Sequence, residues 1–188
     1  MTTLSNKDLG YFTAGVADLE DYLLSAELFW NLPGYSMLTL GGLFLAKARL
    51  EACSLELEEK KIFTEAQKQM EFLTLKWRVA FENKIQREIP SRLNLWQNYL
   101  TEFWAAPDEH ADEYAQEIRW RVMIQLLVNA VGGDYNESTF LKALDDRLRF
   151  SFLPGEFIWA EELSAKFNEK EYWFLYGNLT VGQSKKSN

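Results

Sequence analysis

Histidine and cysteine are almost missing from this 188-residue sequence, which holds one of each, His110 and Cys53. A lone cysteine forms no internal disulfide, and structural zinc needs several Cys or His ligands at close spacing. Ferritin-like di-iron centres, which take paired Glu-x-x-His motifs, fall to the same count. Mechanisms built on a His base or a Cys–His nucleophile lose most of their material as well. His110 stands in an acidic loop, residues 107–113, and reads as a solvated histidine whose pKa neighbouring carboxylates raise. Cys53 has only Arg49 near it to stabilise a thiolate and reads as a buried structural residue.

Long apolar runs are missing too. The longest, Met37 to Ala46, falls well short of the roughly 18 residues a membrane-spanning helix needs, so no membrane partner is expected. The first thirty residues show no basic segment followed by an apolar stretch and a cleavage site, which places the chain in the cytoplasm. The sequons at Asn136 and Asn178 are then chance matches. Gly-x-x-x-x-Gly-Lys-Ser/Thr, Gly-x-Gly-x-x-Gly and Gly-x-Ser-x-Gly are all absent, which removes the common phosphate cradles and nucleophile elbows. Positive charge is in short supply: 20 Lys and Arg against 28 Asp and Glu give a formal net charge of -8, a poor start for binding a phosphate backbone. Nucleic acid is therefore not an expected partner.

What is present is a globular composition, 47% hydrophobic and 26% charged, in a length that suits one domain. Glycine and proline are sparse, 10 and 4, and they punctuate helices. A first helix is expected over Ala17 to Trp30, ended by Pro33-Gly34, with Ser36 as the N-cap of a second through Met37, Leu40, Leu43 and Arg49. Between Gly42 and Pro90 there is neither Gly nor Pro, so an antiparallel pair turning near Leu55 to Lys61 is expected. Its second member carries a seam of Ile62, Ala66, Met70, Leu73, Trp77, Phe81 and Ile85. A further row, Phe72, Leu75 and Val79, predicts that the middle of this helix is buried on two sides. Pro90 should stop it and start a helix with Leu93, Trp96 and Leu100 on one face.

A helix from Tyr114 to Val131 is apolar nearly all round after Arg121, and Gly132-Gly133 closes it. Another carries Phe140, Leu141, Leu144 and Leu148 until Pro154-Gly155. The segment after Leu148 is dense in aromatic residues, among them Phe150, Phe152, Phe157, Trp159, Phe167, Tyr172, Trp173, Phe174 and Tyr176. No helical repeat period holds. The pattern predicts an all-α fold: an antiparallel helical bundle of about six to eight helices with an aromatic-rich C-terminal segment. Residues 1–181 form the single domain, and 182–188 a polar tail.

Three functions suit these residues. A non-enzymatic protein-interaction or regulatory protein, acting on a partner or as a homodimer, would use the surplus aromatics Trp159, Tyr172, Trp173 and Tyr176. A helical pocket for a small apolar or anionic ligand would use the Gly41-Gly42 pair, since each helical glycine costs about 1 kcal/mol against Ala and marks a close approach. Arg119 or Arg121 would supply the charge; two positions apart on one helix, they face different ways, and the bland alternative is a pair with Glu117 or Glu113. A carboxylate-only magnesium-dependent hydrolase would need Glu56, Glu59, Glu109 and Asp112 to converge, although solvated surface acids explain those pairs more simply. The interaction reading leads: no catalytic residue, metal ligand or cofactor is assigned.

Overall fold

The computed structural model of the chain describes residues 3–132 and 135–180, so the expected polar tail at 182–188 lies outside the described residues. The fold is mostly helical with one small two-stranded sheet. In chain order the helices are α1 (Thr3–Ala17), α2 (Leu19–Leu24), α3 (Leu40–Ala52), α4 (Leu57–Lys76), α5 (Arg78–Ala105), α6 (Pro107–His110), α7 (Tyr114–Glu117), α8 (Arg119–Ala130) and α9 (Ser138–Arg149). Strands β1 (Phe152–Phe157) and β2 (Tyr176–Leu179) pair antiparallel. Helices α3, α5 and α8 pack against one another, and α1 packs on α3 and α4.

The chain breaks its helices at places the glycine and proline pattern does not mark. The expected helix over 17–30 is replaced by α1 and α2, followed by a loop that the Trp30–Leu38 bridge closes. Gly34, at φ 82, makes the turn within that loop, a backbone conformation few side chains tolerate. Thr39, rather than Ser36, caps α3: its Oγ1 accepts the Gly42 N–H at 3.1 Å. The long third helix stops at Trp77, not Pro90. Trp77 leaves helical geometry (φ -112, ψ 38), and its Nε1 donates to Glu20 Oε1 at 2.9 Å. Helix α5 instead runs through Pro90 for 28 residues. One lost backbone bond there costs about 3 kcal/mol, which burial of Ile85, Ile89, Leu93 and Trp96 on both sides of it outweighs.

The seam of α4 is one-sided. Phe63, Ala66, Met70 and Leu73 face the core at steps of three and four, whereas Ile62 is exposed. Phe72, Leu75 and Val79 lie in solvent at 62%, 75% and 72% exposure, so the helix is peripheral and the expected second buried face does not form. The centre belongs to α8, where Val122, Met123, Ile124, Leu127 and Val128 are all buried as the all-round apolar run requires.

The C-terminal segment departs furthest from an all-α fold. Phe152-Leu-Pro-Gly-Glu-Phe157 cannot be helical through Pro-Gly, and it pairs Phe152 with Leu179 and Pro154 with Gly177 before a bulge. Pro154 is tolerated because every strand of a two-stranded sheet is an edge. Gly177 sits at φ 147, and a Cβ there would lie 2.2 Å from the Leu153 carbonyl oxygen. The connection between the strands folds back on itself through two short 3₁₀ turns, Glu161–Leu163 and Trp173–Leu175. No helix of the described residues is long and apolar enough to cross a membrane.

Candidate functional site

A cavity of 780 Å³ opens between α1, α3, α5, α8 and the loop after α2. That volume suits a small organic molecule. Its walls hold four cations, Lys7, Arg49, Arg92 and Arg119, against one acid, Asp8, together with the aromatic rings of Tyr11, Phe29, Tyr35 and Trp120. In a chain of net charge -8, this is a local reversal of sign.

Arg92 and Thr39, which line the cavity, are held from behind by Glu88 and by each other, and Glu88 is fully buried. Its carboxylate accepts the first free amides of α3, from Leu40 N at 2.9 Å and Gly41 N at 3.1 Å. A helix N-terminus presents unpaired N–H groups and a positive dipole end, so a buried carboxylate is stable there. One turn along α5, Arg92 donates through Nε to Glu88 Oε1 at 2.9 Å and through Nη2 to Thr39 Oγ1 at 2.7 Å. Thr39 therefore caps α3 and fixes Arg92 at once. The guanidinium stands 5.1 Å from the Trp120 ring and 5.8 Å from that of Phe29. Only 5% of Arg92 is exposed, the residue lines the cavity, and its Nη1 has no hydrogen-bond partner among the described residues.

The upper walls are less saturated. Arg119 lies 4.3 Å from the Trp120 ring and pairs with Glu117 at 3.4 Å. Arg49 Nη1 lies 3.8 Å from Asp8 Oδ1, too far for a hydrogen bond, while Asp8 Oδ2 and Arg49 Nε are buried without a hydrogen-bond partner among the described residues. Burial pushes the Asp8 carboxyl up to about 6, with Arg49 pulling against it. Burial also lowers the Arg49 pKa, and the nearby Arg119 charge adds to that. Tyr11 donates to the Met37 carbonyl at 3.3 Å, and burial raises its hydroxyl to about 12.

The two glycines divide. A Cβ on Gly41 would sit 2.7 Å from Glu88 Oε1 and 3.2 Å from Met123 Cβ, so Gly41 lets the carboxylate reach the helix end and does not line the cavity. Gly42 does line it, and a Cβ there would meet the Tyr11 hydroxyl at 2.4 Å. The arginines divide as well. Arg119 faces the cavity, whereas Arg121 faces α9, donating to both Asp145 oxygens at 3.0 and 2.8 Å and to Gln125 Oε1 at 3.1 Å, with Phe174 4.4 Å from its guanidinium.

The C-terminal aromatics are packed mainly on one another. Tyr172 is buried between Phe167 and Phe174; Tyr176 donates to the Phe167 carbonyl at 2.8 Å; Trp173 meets Phe152 edge-on and lies under Arg149. Trp159 donates to the Ala115 carbonyl and stacks 5.1 Å from Arg49, which makes it the C-terminal aromatic nearest the cavity wall. The acidic pairs play local parts: Glu59 accepts the Glu56 N–H at the start of α4, and Glu109 and Asp112 are exposed around α6. Among the described residues no group of three or more His, Cys, Asp or Glu is placed to hold a metal ion. His110 hydrogen-bonds Glu113 at 2.9 Å, which raises its pKa, and burial together with Glu162 raises that of Cys53.

Asp8, Tyr11, Thr39, Arg49, Glu88 and Arg92 were not marked by the sequence as site residues. The Glu88-x-x-x-Arg92 spacing was readable, but the same spacing on a wet helix face is a routine surface pair. No protein-family model, curated protein or solved structure matches the chain.

Proposed function

We propose that the chain is a cytoplasmic, non-enzymatic protein that binds one small organic anion with an apolar or aromatic body in the cavity between α1, α3, α5 and α8. One observation supports this above the others: Arg92, nearly buried and held by Glu88 and Thr39 through Nε and Nη2, lines a 780 Å³ cavity together with Arg49 and Arg119, and its Nη1 has no partner among the described residues. A rigid, partly desolvated guanidinium is a strong partner for a carboxylate or phosphate, and its ordering is already complete before the ligand arrives. The volume exceeds what an inorganic ion needs, and the ring-lined walls suit an apolar body. Protein purified without added ligand is expected to release one small anion per chain on denaturation, or to be stabilised thermally by an aryl carboxylate or aryl phosphate at millimolar concentration. Failure of both, with the protein folded, sinks the reading.

A protein-interaction role is the second reading, and Phe72, Leu75 and Val79 favour it. These residues recur at steps of three and four across Trp77 and are largely exposed. The occupant of that face would be a second copy of the chain, because a stripe of this kind is self-complementary across a two-fold axis. Three side chains fall short of the roughly 800 Å² per partner of a stable interface, so the homodimer would be weak. Sedimentation should show a concentration-dependent dimer that Leu75→Glu abolishes; a monomer at all concentrations removes this reading.

A further inference from the structure

Resting on the anion-pocket reading, we propose that the ligand is an aromatic zwitterion, carrying an acid group for Arg92 and Arg119 and an ammonium or comparable N–H donor for Asp8. The acid end follows from the free Arg92 donor and from Trp120, which lies beneath both guanidiniums at 5.1 and 4.3 Å. The donor end follows from Asp8. Asp8 lines the same cavity, and its Oδ2 has no hydrogen-bond partner among the described residues. A buried carboxylate oxygen left unpaired is costly, and a charged donor satisfies it best.

Arg49 does not serve that purpose. Its approach to Asp8 is 3.8 Å and single, and its own Nε is buried without a hydrogen-bond partner among the described residues. The fold shows what a saturated pair looks like in Arg121 and Asp145, where two N–H groups meet two oxygens at 3.0 and 2.8 Å. Against that standard Asp8 and Arg49 are both left open, one needing a donor and the other an acceptor. The ligand's ammonium answers the first of these. Tyr11 and Tyr35, in edge contact at 6.4 Å, and Phe29 and Trp120 provide ring surfaces for the planar body that carries the charged groups.

Tryptophan, indole-3-propionate and tryptamine share one ring system and differ in which charges they carry, so they test the proposal directly. Calorimetric titration of the full chain should give tryptophan an affinity at least about tenfold above indole-3-propionate, with tryptamine weakest. Asp8→Asn, which keeps the side-chain shape, should bring tryptophan and indole-3-propionate to within about twofold of each other without weakening the latter. Equal affinities in the native protein, or tighter binding of indole-3-propionate, overturn the zwitterion and leave the anion pocket standing. No binding of either acid on the order of 10 mM, or a preference for tryptamine, overturns both. Should Asp8→Asn not fold, the comparison of the three ligands on the native chain decides alone.

Discussion

Arg92 and Arg121 have the same ingredients and different uses. Each is a nearly buried arginine on a helix, each faces a carboxylate, and each lies against an aromatic ring. Arg121 gives Nε and Nη2 to Asp145 and Nη1 to Gln125, so every nitrogen is engaged by the protein. Arg92 gives Nε and Nη2 to Glu88 and Thr39, leaves Nη1 without a partner among the described residues, and lines a cavity. Both lock their surroundings, α3 to α5 in one case and α8 to α9 in the other. Charge and burial are shared; an unspent donor on a residue that lines open volume is what separates Arg92 from Arg121.

The largest expected effect comes from removing the anchor of the open arginine. Glu88→Ala strips the α3 amides of their acceptor and leaves Arg92 buried and uncompensated, a loss of about 3–5 kcal/mol in denaturant unfolding. Arg121→Met should cost about 2–3 kcal/mol, because Asp145 is left partly buried without its partner, yet it should leave ligand affinity untouched. Should Arg121→Met weaken ligand binding as much as it weakens the fold, the contrast between the two arginines collapses.

Asp8 sharpens the contrast through pH. Its carboxyl sits at about 6 in the folded chain against an ordinary 3.8, so between those values the native state holds more protons than the unfolded state. Stability therefore falls as pH rises through that window and stays at the lower level above it. Asp8→Asn removes that decline. It should stabilise the unliganded protein by up to about 2 kcal/mol at pH 7, less whatever Arg49 loses, with the gain gone below pH 4. A stability profile for the variant parallel to that of the native chain would contradict an open Asp8.

Gly42→Ala should move the Tyr11 hydroxyl off the cavity wall, weakening ligand binding severalfold with a smaller cost to the fold, since the displaced group is the far end of a side chain. His110→Ala marks the bottom of the scale. Its pair with Glu113 is solvent-exposed and raises the histidine pKa, so its small support is present at acidic pH and lost as pH rises through the folded pKa. At pH 8 the variant and native unfolding midpoints should coincide.

The helices were legible where a single face repeats. The α4 seam was readable from Ala66, Met70 and Leu73, α8 from its apolar run, and α9 from Leu141, Leu144 and Leu148. Breaks were legible only in part: Gly132, at φ 79, follows the end of α8 as expected, but proline at 90 is overridden by burial on both sides and Trp77 stops a helix through a tertiary bond to Glu20. The strand pair was hidden behind Pro154-Gly155, which reads as a stop and serves here as an edge. At the site, Gly42 and Arg119 were marked by local pattern: a paired glycine within a helix and one of two arginines two positions apart on a helix. Arg92 and Glu88 were not, because their significance lies in burial, and burial is set by α3 arriving some fifty residues away in sequence. Asp8 is an ordinary surface acid until α3 and Arg49 fold over it.

The central claim is that the cavity of Arg92 and Arg119, and not the Arg121 pair, receives an organic anion. Calorimetric titration of indole-3-propionate into the native chain, Arg119→Met and Arg121→Met tests it most directly, since Arg119 is partly exposed and its loss leaves the core intact. The account predicts one site per chain, unchanged in Arg121→Met and weakened about tenfold or more in Arg119→Met. Equal binding to Arg119→Met and the native chain, or loss of binding in Arg121→Met alone, would contradict it.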